Sequence, residues 1–95
     1  MNRAPAEVRR YFDGGSHDVL SVNVENPYFI VVHYDDGEVR RKDMSGELTG
    51  VMEALKDKAV FATAHHKNGR CIVWNTPSGE IDIDKDAVYI YGEKV

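Results

Sequence analysis

A chain of 95 residues accommodates one domain, and its composition, 42% apolar and 29% charged, belongs to a globular protein and excludes disorder along the whole length. The apolar run Tyr28-Phe29-Ile30-Val31-Val32 falls far short of the ~20 residues of a membrane span. A net charge of −4 disfavours a nucleic-acid partner, and the single cysteine, Cys71, cannot close an intramolecular disulfide. With no signal-peptide apolar stretch at the amino terminus, a cytoplasmic location is expected, with no membrane partner.

Residues 1–18 read as an amino-terminal appendage, a short helix or disordered. Val8, Tyr11 and Phe12 share helical spacing, and Gly14-Gly15-Ser16 breaks the chain after them. Those glycines lack the preceding strand and following lysine of a phosphate loop. Residues 19–95 read as a single domain. "VLSVNV" and "YFIVVHY" predict two strands around Asn26-Pro27, and Asp36-Gly37 predicts a two-residue hairpin into "EVRRKD". That register pairs Tyr34 with Val39 and His33 with Arg40. It places Ile30, Val32, Tyr34 and Val39 on the core face, and Phe29, Val31, His33 and Arg40 on the other.

The middle segment loses alternation. Val51 and Leu55 form an i, i+4 pair, and Asp57 is placed to cap a turn over 58–61, so two short helical pieces are expected. "FATAHHKNGRCIVWN" then predicts a second hairpin on Asn68-Gly69, with His66 opposite Cys71 and His65 opposite Ile72. Thr76-Pro77-Ser78-Gly79 reads as a tight turn into the strand "EIDI", and Asp84 as the cap of a short closing helix. Six strands and two or three short helices define an α+β fold, a single small domain of mostly antiparallel β-hairpins.

In this order, "VLSVNV", "IVVHYDDGEVRRKDMS", "ALKDKAVFA", "RCIVWN" and "IDIDKDAVYIYG" resemble the motifs of a bacterial family catalogued as domain of unknown function 2442. The resemblance covers roughly residues 19–91. It departs where Lys58 stands for the usual proline and where "NTPSGE" lengthens the usual turn. It implies the α+β fold and carries over no catalytic residues. It also implies a setting beside other small proteins, in paired or toxin–antitoxin-like systems.

Three chemistries compete for the remaining residues. Adjacent strand positions face opposite ways, so His65 and His66 cannot share a metal. His66 with Cys71, helped by His33, is the metal or thiol alternative, and zinc would need ligands that the spacing does not supply. Asp82, Asp84, Asp86 and Glu93 match four positions of a calcium loop, but Ala87 occupies the position that needs glycine. Arg40, Arg41 and Lys42, with Lys67, Arg70 and Trp74, are the nucleic-acid alternative, set against sixteen acidic residues. No catalytic constellation and no cofactor site emerges. The expected function is therefore a non-enzymatic protein-interaction module. Both sides of the second hairpin read as apolar, so Trp74, Ile72, Tyr89 and Tyr91 are expected to form an exposed aromatic patch. A homodimer or another small protein would cover it, or else the amino-terminal segment would fold back through Val8, Tyr11 and Phe12.

Overall fold

The computed structural model describes residues 17–95, so the expected helix and lid at the amino terminus lie outside the described residues. Among the described residues, seven strands form two antiparallel sheets. The first sheet has the order β1 (Val19–Glu25), β2 (Phe29–Tyr34), β3 (Val39–Asp43) and β7 (Glu93–Lys94). The second runs β4 (His65–His66), β5 (Cys71–Thr76) and β6 (Gly79–Asp84). The described residues also form two α-helices, α1 (Lys58–Phe61) and α2 (Lys85–Tyr91), and 3-10 helical turns at Ser45–Glu47 and Gly50–Lys56. The α+β expectation is met, with Glu93–Lys94 adding a seventh strand to the six predicted. The base of β1 is tied to both halves: Val19 N donates to Gly69 O at 2.9 Å, and Asp35 N donates to Asp18 O at 2.9 Å.

Both Xaa-Gly hairpins form, each one residue out of the predicted phase. In the first, Tyr34 N donates to Glu38 O and Gly37 N to Tyr34 O, which closes a three-residue loop, Asp35-Asp36-Gly37. Gly37 has φ +88° while both aspartates keep negative φ, so a bulge at Gly37 replaces the expected two-residue turn. His33 therefore pairs with Val39, and Val32 with Arg40. Every β3 side chain changes face relative to the predicted register, putting Val39 outward and Arg40 inward. In the second hairpin Asn68 and Gly69 both adopt the positive φ expected of them, 54° and 73°. Arg70 then bulges, so that His66 faces Ile72 and His65 faces Val73.

The core lies between the inner faces of the two sheets. Ile30, Val32 and Tyr34 from β2 meet Ile72 and Trp74 from β5, with Met44, Leu48, Leu55, Phe61 and Val88 filling in from the connections and α2. Burial of nine large side chains with under 2% exposure supplies the main favourable term, at ~25 cal/mol per Å² of apolar surface. The polar ends of Trp74 and Tyr34 are satisfied, Trp74 Nε1 donating to Phe61 O at 3.1 Å and Tyr34 Oη to Lys85 O at 2.8 Å, whereas the inward Arg40 Nε is buried without a hydrogen-bond partner. The capping aspartates act as read from the sequence. Asp57 Oδ1 accepts from Ala59 N and Asp84 Oδ1 from Asp86 N, at 2.9 and 2.8 Å. The Val51–Leu55 pairing does not occur. The segment is 3-10, with three residues per turn, so Leu55 is buried while Val51 is 85% exposed.

Candidate interaction surface

The residues singled out for metal or thiol chemistry are not brought together. The bulge at Arg70 sets His66 beside Ile72, and Cys71 sits opposite Asp84 instead of His66. His66 Nδ1 accepts from Gly69 N at 2.9 Å and serves the loop. His65 Nδ1 contacts Thr63 O at 2.7 Å, and His33 lies in the other sheet. Cys71 is half-buried. Of the predicted aromatic patch, Ile72 and Trp74 are fully buried and offer no surface. The unbroken apolar run "CIVW" hides which face is inward, and pairing of Ile72 with Ile83 and of Trp74 with Ile81 turns them to the core. Tyr91 is 72% exposed and Tyr89 half-buried. Four of the five basic residues are engaged as well, Arg41 with Glu25 at 2.9 Å, Lys42 with Glu47 at 2.8 Å, Arg40 with Glu38 at 3.5 Å and Lys67 with Glu80 at 2.7 Å, while Arg70 is exposed. On the outer face of the first sheet the Arg41 guanidinium lies 3.6 Å from the Phe29 ring centroid, so that face carries its own polar cover.

One polar network locks α2 to the first hairpin loop. His17 Nδ1 lies 3.2 Å from Asp35 Oδ1 and Nε2 3.5 Å from Asp36 Oδ2, while Tyr89 Oη donates to Asp36 Oδ2 at 2.5 Å. His17 stacks on Tyr89, and Tyr89 meets Tyr34 edge-on. The side chains of His17, Asp35 and Asp36 converge, and Asp36 already accepts the Tyr89 hydroxyl hydrogen. Inward-turned Arg40 adds its guanidinium 4.8 Å from the Tyr89 centroid. Burial, then the bond to Asp36, pushes the Tyr89 phenol up to about 12. Burial opposes ionisation of Asp36, yet the Tyr89 hydroxyl, the Glu38 amide and His17 together hold its carboxyl below the usual range.

A surface of a different kind lies at β6. This strand terminates the second sheet, and β5 is its only partner among the described residues. Register runs unbroken from Thr76–Gly79 to Cys71–Asp84, without a bulge or proline in the strand. The two-residue loop makes Thr76–Gly79 a hydrogen-bonded closing pair. Alternation from there aims the amide and carbonyl groups of Glu80 and Asp82 at the open edge. Side chains alternate too: Ile81 and Ile83 are half-buried against the core, while Glu80, Asp82 and Asp84 are exposed on the outer face. At the turn end of the β5–β6 hairpin a groove of about 380 Å³ opens against the 3-10 segment, lined by Val51, Ala54, Thr76, Ser78, Glu80 and Ile81 among others. The exposed Val51 stands at its rim. Sequence reasoning saw "EIDI" as a strand with alternating acids. It missed that no described strand besides β5 pairs with it, because the chain turns into α2 at Lys85.

The architecture is thus that of a two-sheet α+β domain in which the acidic strand β6 has a single partner among the described residues. No protein-family model matches the chain, and no solved structure does.

Proposed function

We propose that this chain is a non-enzymatic protein-interaction module that receives an extended segment of a partner protein along β6. The observation that carries this reading is a six-residue, regularly paired strand whose second edge has no partner among the described residues, with a groove of mixed lining, Val51, Ala54 and Ile81 beside Thr76, Ser78 and Glu80, at its turn end. An unpaired edge is a template for strand addition, in which backbone hydrogen bonds give affinity and pockets for alternate side chains give selectivity. The groove at Ile81, Val51 and Ala54 is such a pocket. Pairing with another small protein, in the toxin–antitoxin style that the family resemblance implies, is the setting this reading favours.

The test uses the full chain as bait beside two variants. Asp82→Pro removes an outward amide donor, and Val51→Asp puts a charge in the groove while leaving the core untouched. A partner retained by the native chain, lost on both variants, and slowing amide exchange at Glu80 and Asp82 is the expected result. Retention unchanged by Val51→Asp in a folded protein, or exchange slowed elsewhere only, would overturn it.

A further inference from the structure

Resting on that reading, the geometry points to the chemistry of the partner: we infer that β6 selects an extended segment in which lysine or arginine alternates with small or branched apolar residues. A strand added beside β6 shares its two faces, so its side chains fall alternately next to Glu80, Asp82 and Asp84 on one face, and next to Ile81 and the groove on the other. The outer row is acidic throughout. Glu80 is partly neutralised by Lys67, whose ammonium holds that carboxyl below its usual range, and Asp84 is occupied in capping α2. Asp82, exposed midway along the strand, has no ion-pair partner among the described residues, so it is the position at which a cation from outside gains most. Opposite charges on neighbouring strands stabilise and like charges destabilise, each by a modest amount that repeats along the row. The same rule disfavours pairing of β6 with the β6 of a second copy: two such edges meeting antiparallel would bring Glu80, Asp82 and Asp84 against their own kind. On the inner face the groove, about 380 Å³ in volume, offers Val51, Ala54 and Ile81 as apolar contacts for a small or branched side chain.

Four short synthetic peptides, titrated into the full chain and followed by amide chemical shifts, test this. One alternates lysine and valine, one glutamate and valine, one threonine and valine, and the last contains the lysine–valine composition with lysines and valines in two blocks. The lysine–valine alternation should bind, shifting Gly79–Asp84 and Val51, roughly tenfold more tightly than the threonine peptide, with no saturable binding by the glutamate peptide. In Asp82→Lys the order of the lysine and glutamate peptides should reverse. Equal binding of the lysine and threonine alternations, or an order unmoved by Asp82→Lys, would sink the charge inference and leave strand addition standing. If no alternating peptide of any charge shifts β6, strand addition itself fails. Binding of the block peptide as tightly as the alternating one would show nonspecific attraction and overturn the inference.

Discussion

Tyr89 donates its phenolic hydrogen to Asp36 across 53 residues of sequence, and this one bond ties the closing helix to the first hairpin loop. Its two ends titrate on opposite sides of neutrality. Folding raises the phenol from 10.0 to about 12, so the folded chain holds that proton more tightly than the unfolded chain. The stabilisation is complete below pH 10.0 and is lost as pH rises toward about 12. Asp36 runs the other way: its carboxyl is depressed below 3.8, so its contribution is complete above 3.8 and is lost below it, as pH falls through the depressed folded-state value. Tyr89→Phe should cost about 1–2 kcal/mol at neutral pH and flatten the alkaline decline relative to the native chain. Urea midpoints measured across pH in both proteins check this, and parallel alkaline declines would refute it.

Gly69 and Gly37 both hold positive φ, but only one of them is crowded. A Cβ on Gly69 would sit 3.0 Å from Val19 O, while one on Gly37 meets nothing within 4 Å. Gly37→Ala should therefore cost about 1–2 kcal/mol of conformational strain alone. Gly69→Ala should cost more, because Val19 must also give way while its own amide is bonded to Gly69 O. Denaturant midpoints of the two variants should differ in that order.

Trp74 is the sole tryptophan and is 0% exposed, stacked on Phe61 with centroids 5.9 Å apart. Its native emission should be blue-shifted and protected from aqueous quenchers until the domain unfolds. Trp74→Phe removes the donor to Phe61 O and leaves a void, for an expected loss of about 2–4 kcal/mol. Emission typical of water in the native chain would place the indole outside the core.

Much of this architecture was legible in the residues. Asp57 and Asp84 announced the two helices because a carboxylate before a helical run has one favourable job, and alternation in "FIVVHY" gave the buried face of β2. The phase of β3 was not legible. Asp-Gly fits a two-residue turn and a three-residue bulged loop equally well, since both place glycine at positive φ. That single residue decides whether Val39 or Arg40 faces the core. Ile72, Val73 and Trp74 form an unbroken apolar run that is buried on both sides, so no period marks the inward face. The open edge of β6 was hidden for a different reason: a strand's edge status is a property of the assembled sheet and leaves no mark on its own residues.

The phase of the Gly50–Lys56 segment supplies the last prediction, because a 3-10 and an α-helical backbone assign opposite fates to one residue. In an α-helix Val51 and Leu55 would share a face, and truncating either would open the core. In the 3-10 geometry residues three apart align, which pairs Met52 with Leu55 toward the core and Val51 with Ala54 along the groove. Leu55, at 0% exposure, should cost about 2–5 kcal/mol on replacement by alanine. Val51→Ser, at a site 85% exposed, should move stability by no more than about 0.5 kcal/mol in either direction. Paired urea titrations separate the two geometries. Comparable losses at both positions would establish an α-helical segment and take Val51 out of the groove; a loss confined to Leu55 leaves Val51 free of any structural duty, as expected of a side chain kept at the surface for contact with another molecule.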